Sequence, residues 1–387
     1  MTTIRLLAVT GMLTTVLSCA SGHPQRVTVS ATPAAVPWRV VPSVRVDCRR
    51  WRARTPSVTH LLAVAATGPD DAWATGSCEP KGGLSSEEGG DPVGVIEHWN
   101  GDTWRQVPAP SDTAYDAVVA LSAKDAWAAG EHGLIHWDGR RWAKTSRGLP
   151  ADVVSTPGLL AATADQSVWA MITTGLAEQE VLVRWDGGRW HVVPPPHGCQ
   201  FPGDGDSGDL AAGPGQEVWT DSVFCAKTAE NTIWHYDGHR WTRLRPPPLA
   251  RGWNVDGITV IDHDTSVTVD DDDPSTAGDG HTKTYRWAAG TWRRLPDPSG
   301  YAQRGMVGDG RGGIWVLGAR VDPYGDPVPT RIRHWDGRRW SDQALPKPPG
   351  GPTGGLRALA HVPGTATVWG VGADSADRPL IEATGPL

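Results

Sequence analysis

The side chains with the most chemical potential fall outside any regular pattern. The run Asp270-Asp271-Asp272-Asp273, with Asp279 and His281 close behind, gathers enough oxygen to ligate Ca²⁺. Its acids are contiguous rather than alternating as in a dedicated calcium loop, so a solvated acidic loop is the competing reading. Tyr115, Phe201, Phe224, Trp253, Tyr301 and Tyr324 lie in or beside irregular stretches. Aromatic rings near carboxylates suit stacking on sugar rings and hydrogen bonding to hydroxyls, with packing inside the loops as the alternative for each. Trp253 is the leading candidate. His98, His136, His235 and His334 recur at intervals that put them in separate units, so they read as strand residues rather than as one metal set. The chain carries no Gly-x-Ser-x-Gly elbow, phosphate loop or His-Glu-x-x-His helix, and no cofactor is expected. Acids are plentiful enough for a glycoside-cleaving pair, yet the sequence singles none out.

The elements that must position these groups repeat. Trp-Asn-Gly-Asp-Thr-Trp at 99–104, Trp-Asp-Gly-Arg-Arg-Trp at 137–142, Trp-Asp-Gly-Gly-Arg-Trp at 185–190, Tyr-Asp-Gly-His-Arg-Trp at 236–241, Trp-Ala-Ala-Gly-Thr-Trp at 287–292 and Trp-Asp-Gly-Arg-Arg-Trp at 335–340 share one frame. Their spacing of roughly 40 to 50 residues is the period of a four-stranded propeller blade. Ahead of each frame comes a small apolar run, a polar turn and a second run containing Trp, as in Ala117–Ser122 and Ala126-Trp127-Ala128-Ala129-Gly130. Short alternating segments between Gly, Pro and Asp turns read as strands. Asp-Gly suits a tight hairpin because glycine reaches positive φ without steric cost. Whether the loop is of two or four residues, Ile135, Trp137 and Trp142 share one sheet face, which would pack on the neighbouring blade, and His136 and Arg141 take the other.

The second strands carry Trp73, Trp127, Trp169, Trp219, Trp315 and Trp369, with Thr265–Val269 as a degenerate seventh. From about Leu356 there is room for only three more strands. Cys48–Ser57, with Trp51 in the frame position, is therefore expected to supply the fourth. The expected fold is all-β, a seven-bladed β-propeller over residues 44–387, closed by an N-terminal strand completing the last blade. Strand 1–2 and strand 3–4 connections are short and share one face. The longer connections, such as 77–91, 194–208, 222–231, 245–255, 270–283 and 319–330, share the other, and binding is expected there around the mouth of the axial channel.

Residues 1–19 read as a secretory signal with one basic residue, Arg5, and an apolar stretch from Leu6 to Leu17 that is too short to span a membrane. Val16-Leu17-Ser18-Cys19 resembles a lipobox, with Cys19 the acylated residue that would anchor the protein on the outer side of the membrane. Cleavage after Ala20 and plain secretion is the alternative. Residues 20–43, rich in Pro, Ala, Ser, Thr and Val, suit a flexible tether. The other four cysteines form an even set in an oxidising compartment. Cys199 and Cys225 flank blade 4 at one end of its strands and are expected to pair, leaving Cys48 and Cys78 to pair by elimination. A formal net charge of −7 with a pI near 6.0 argues against nucleic acid as a partner.

With its Asp125-Ala-Trp127-Ala-Ala-Gly130 and His136-Trp137-Asp138-Gly139-Arg140-Arg141-Trp142 units, the chain resembles secreted β-propeller proteins of actinobacteria. More distantly it is similar to kelch/galactose-oxidase-like and sialidase-like propellers. It departs from both, since a complete Ser-x-Asp-x-Gly-x-Thr-Trp box and in-register Gly-Gly doublets are missing. The resemblance implies shape more than function, because propellers host many activities. The leading expectation is a monomeric, surface-tethered, non-catalytic binding or scaffold module that recognises a glycan or an extracellular protein through its variable face. A glycoside hydrolase or lyase using loop carboxylates is the alternative, and an accessory or sensor protein with a membrane partner is a third reading.

Overall fold

The computed structural model describes residues 37–44, 46, 57–80, 92–110, 113–156, 158–163, 165–175, 179–201, 208–213, 215–225, 232–245, 247–248, 253–261, 264–271, 283–288, 290–296, 302–319, 331–346 and 355–385. Seven antiparallel sheets follow one another in chain order. Blade 1 holds Ser57–Gly68, Asp71–Pro80, Val93–Trp99 and Trp104–Gln106; blade 2 holds Ala117–Ser122, Asp125–Gly130, Gly133–Trp137 and Trp142–Lys144. In blade 3 the first strand is split into Val153–Ser155 and Leu160–Ala162, followed by Val168–Thr174, Gln179–Trp185 and Trp190–Val193. Blade 4 has the shortest strands, Leu210–Ala212, Val218–Thr220, Trp234–Tyr236 and Trp241–Arg243. Blades 5 and 6 run from Trp253 to Arg294 and from Ala302 to Gln343. Each first strand touches the first strands of the blades before and after it, and that of blade 7, Gly355–His361, touches that of blade 1, so the ring closes.

The turn frame explains the seam. Trp137 pairs directly with Trp142, which selects the four-residue loop. Asp138 Oδ1 accepts from the backbone N–H of both Arg140 and Arg141 at 2.9 Å, and Gly139 takes φ 86°. Those two donors hold the Asp138 carboxyl below the usual range, and Asp186, Asp237 and Asp336 repeat the arrangement. In blades 1, 2 and 3 the hairpin presents its Trp pair to the preceding blade. The Trp73 ring centroid lies 5.0 Å from that of Trp137 and 5.2 Å from that of Trp142. Trp127 meets Trp185 at 4.9 Å and Trp190 at 5.1 Å, and Trp369 meets Trp104 at 5.2 Å. Trp73, Trp127 and Trp169 are wholly buried. Burying such large rings supplies the apolar area that holds one sheet to the next.

The last blade corrects the sequence reading in one respect. An N-terminal strand does complete it, beside Pro379–Thr384, but that strand is Arg39–Val40, with Arg39 opposite Ala383 and Val40 opposite Glu382. Trp38, 5% exposed, therefore holds the frame position opposite Thr384 that was expected for Trp51. Residues 37–43 thus belong to the ring rather than to the tether, and Trp51 lies outside the described residues. The segment continues along blade 1, where the Ser43 hydroxyl lies 3.0 and 3.2 Å from the two oxygens of the buried Glu97.

Candidate functional site

The strand order puts the strand 2–3 connection of each blade and the link to the next blade on one face, opposite the Asp-Gly turns. On that face blade 4 carries an extra two-stranded ribbon, Cys199–Gln200 paired with Phe224–Cys225. Cys199 and Cys225 stand directly opposite each other and are joined by a disulfide, as their positions flanking the blade predict. Phe224, facing Gln200, is 48% exposed, whereas its neighbour Val223 is 4% exposed and packs into the blade 3–4 core. The ribbon is therefore rooted by Val223, stapled by sulfur and tipped by a solvent-facing aromatic. Water makes an exposed phenyl ring unfavourable, so a ring held out by a rigid support suits contact with something else.

The other loop aromatics divide. Tyr115 is fully buried in the seam of blades 1 and 2, its ring so close to Gly94 that a Cβ there would fall 2.4 Å from Cε2. Phe201 is 3% exposed and packs edge-on to Trp241 at 6.3 Å. Both are core residues rather than ligand platforms. Trp253 opens the first strand of blade 5, opposite Asp271. Tyr301 and Tyr324 lie outside the described residues. Asp270 and Asp271 end the second strand of blade 5 opposite Asn254 and Trp253, and Asp272 and Asp273 lie outside the described residues. Among the described residues no group of three or more His, Cys, Asp or Glu is placed to hold a metal ion. Cys78 is buried and held in a disulfide, while the Cys48 expected to partner it lies outside the described residues.

The recurrent histidines have a role that spacing alone did not reveal. His136 stacks on Trp127 at 4.3 Å, and its Nε2 lies 3.0 Å from Asp125 Oδ1, which also accepts from Trp127 Nε1 at 3.0 Å. His98 on Trp73 with Asp71 at 2.7 Å, and His334 on Trp315 with Asp309 at 2.8 Å, repeat the stack and its His–Asp contact, without the bond from the indole N–H. In blade 4 His235 stacks on Trp219 at 4.2 Å with Glu217 at 3.6 Å. Burial pushes the Asp309 carboxyl up, but His334 and the backbone N–H groups of Arg311 and Gly313 outweigh it and hold it low. These are structural stacks, one each in blades 1, 2, 4 and 6, pinning the second and third strands to the turn between the first and second.

The first strands of blades 1, 5, 6 and 7 each carry a bulge at the same register, where Leu62, Asp256, Arg304 and Arg357 are the extra residues. Bulges re-aim the backbone that carries them. Asp116 heads the first strand of blade 2 and is exposed to solvent, yet surrounding protein and nearby Glu131 push its carboxyl up. Burial pulls His60 down, helped by Arg357 and opposed by Glu79 and Asp377. The variable face thus combines charged groups of both signs near the first strands of blades 1 and 2 with one aromatic on a disulfide-linked ribbon.

No protein family matches the chain and no characterised protein matches it in sequence. Solved structures do match in shape. YCF48 bound to D1 peptide is similar over 91% of this chain and 97% of its own, at 12% identity and a TM-score of 0.54. The extracellular domain of a one-component system from B. thetaiotaomicron is similar over 89% of this chain and 40% of its own, at 9% identity and a TM-score of 0.53. The β-propeller domain of the Trilobed protease from Pyrococcus furiosus is similar over 85% of this chain and 96% of its own, at 9% identity and a TM-score of 0.51. That domain has an open velcro topology, whereas here Arg39–Val40 fastens the ring. At such identities the likeness is one of fold, and the chain is a seven-bladed β-propeller.

Proposed function

We propose that the protein is a non-catalytic binding module that works outside the cell, tethered through Cys19 as a monomer, and that it recognises a glycan or an extracellular polypeptide on its variable face. The observation carrying this reading is Phe224, 48% exposed on a ribbon that the Cys199–Cys225 disulfide makes rigid. A pre-ordered aromatic loses little entropy on binding and contributes a large contact area, which is why such residues anchor interfaces. A propeller solved with a bound peptide, YCF48 with D1 peptide, supports the idea that this architecture serves recognition. The placement is independent of Trp253.

Arrays of extracellular glycans and of peptides, probed with the wild type and with Phe224→Ser, test the reading. Selective binding that falls at least tenfold in the variant supports it. Binding that survives the substitution, or steady release of cleaved product from a bound polysaccharide, overturns it.

A further inference from the structure

The seam between blades 3 and 4 departs from the repeat at two facing positions. Where blades 1, 2, 4 and 6 stack a histidine on the second-strand tryptophan, blade 3 has Arg184, its guanidinium 5.7 Å above the Trp169 ring. Arg184 Nη1 donates to Gln216 Oε1 of blade 4 at 2.6 Å. From the other side the first aromatic of the turn frame is Tyr236 rather than tryptophan, reaching Trp169 edge-on at 5.6 Å.

The fourth-strand tryptophan takes a second arrangement here, one it shares with Trp292 of blade 5 and Trp340 of blade 6, whose Nε1 also donates to a carbonyl at the end of the preceding blade. Trp142, Trp190 and Trp104 each cover the tryptophan of the preceding blade at 5.1 to 5.2 Å. Trp241 instead packs against Tyr236 at 5.1 Å and Phe201 at 6.3 Å, and its Nε1 donates to the Pro194 carbonyl at 2.9 Å. Between Trp169 and Tyr236 lies a cavity of about 350 Å³, walled also by Arg184, Asp186, His191 and Pro194. A second cavity of about 290 Å³ shares Pro194 and Tyr236 and continues past Pro195, Pro196, His239 and Trp241.

Together they form a groove on the outer rim, running from the Asp-Gly turn of blade 3 toward the link into blade 4. Its chemistry is mixed. Proline rings and the partly exposed Tyr236 and Trp241 offer flat apolar surface. Arg184 offers guanidinium N–H groups beyond the one given to Gln216, and the Tyr236 hydroxyl has no partner among the described residues. Asp186 adds a carboxylate, positioned by the N–H groups of Gly188 and Arg189 and by His191 at 2.5 Å. A purely apolar ligand would strand the polar groups unpaired, and a small inorganic anion would leave the ring faces uncovered. A pyranose ring meets both demands, with C–H faces for the aromatics and hydroxyl groups for Arg184, Tyr236 and Asp186.

We propose that this seam is a saccharide site holding two consecutive sugar rings, one on each side of Tyr236, with Arg184 bonded to hydroxyl or carboxylate oxygen of the inner ring. The groove adjoins the ribbon, since the Cys199 N–H donates to the Pro196 carbonyl at 3.0 Å, but Phe224 does not line it, so the proposal stands or falls without that ring.

Titration calorimetry with tetragalacturonate and cellotetraose tests the proposal and distinguishes a uronate from a neutral ring. The double variant Arg184→His with Tyr236→Trp restores the repeat at both positions and fills the inner cavity, so its thermal unfolding is expected at or above that of wild type. Tyr236→Phe removes only the hydroxyl and serves if the double variant folds poorly. The expected result is that wild type binds at least one probe, the double variant binds at least tenfold more weakly, Tyr236→Phe several-fold more weakly, and Phe224→Ser as wild type. Failure of wild type to bind either probe at about 10 mM, where even millimolar affinity registers, overturns the proposal. So does a double variant, or in its place Tyr236→Phe, that binds as wild type does.

Discussion

Trp38 stands edge-on to Trp315, their ring centroids 5.6 Å apart and their planes at 82°. One residue comes from the strand that fastens the last blade, the other from the second strand of blade 6, and 276 intervening residues separate them in sequence. Their contact is the same blade-to-blade packing that Trp142 makes with Trp73, but here no turn links the fastening strand to its neighbour. Closure of the ring therefore rests on side-chain burial and a two-residue ladder.

Trp38→Ala should lower unfolding free energy by about 3–5 kcal/mol, the usual cost of removing a buried tryptophan side chain. Trp38→Phe should cost clearly less, because the edge contact to Trp315 survives. Urea unfolding followed by fluorescence measures both, and an alanine variant as stable as wild type would show that the fastening is held elsewhere.

The pH response of the same closure follows from two buried glutamates. Burial pushes Glu97 to about 7 against the opposing bonds from Ser43 and the Val44 backbone, and it pushes Glu382, opposite Val40, to about 8. Both pKa values are raised in the fold, so the native protein keeps protons that the unfolded chain has lost. Stability should then fall as pH climbs from about 4.5 through 8, the unfolded and folded limits of these groups. Glu382→Gln should flatten that decline, read as melting temperature against pH. An unchanged slope would mean that Glu382 ionises normally in the ring.

Asp125 accepts from Trp127 Nε1 and contacts His136 Nε2, both at 3.0 Å, so it serves two partners at once. Asp125→Ala should destabilise the protein by about 1–3 kcal/mol by leaving the buried indole N–H unpaired. Chemical denaturation of the single variant and of the Asp125→Ala/His136→Ala pair would show coupling. Strict additivity would mean that the stack does not act as a unit.

The aromatic frame and the hairpins were legible because they are local. Asp138-Gly139 needs only its own residues to form the turn, and Trp137 and Trp142 follow on one face. The degenerate fifth blade was readable for the same reason, with Thr265–Val269 alternating as a strand although Ser266 replaces tryptophan. The fastening strand was misplaced because Arg39–Val40 has no turn beside it to mark its register, and the count from Trp51 to Trp73 imitated the repeat. Tyr115 and Phe201 looked like loop aromatics, and only the tertiary approach of Gly94 and Trp241 buries them. The blade 3–4 groove could have been suspected from Arg184 and Tyr236, the two substitutions that break the frame, but its opening depends on where Trp241 turns.

Reducing or removing the Cys199–Cys225 bridge, which spans 26 residues, should cost about 3 kcal/mol in stability. It should also weaken variable-face binding, since Phe224 would lose its rigid support. Cys199→Ser/Cys225→Ser, assayed on the array that detects wild-type binding, checks both, and undiminished binding would separate Phe224 from its staple.

The most direct test of recognition by the variable face is hydrogen exchange of the protein with and without the strongest array ligand. Added protection at Cys199–Gln200 and Phe224–Cys225 is the predicted result. Protection confined to the Asp138–Arg141 and Asp336–Arg339 turns, on the opposite face, would contradict it.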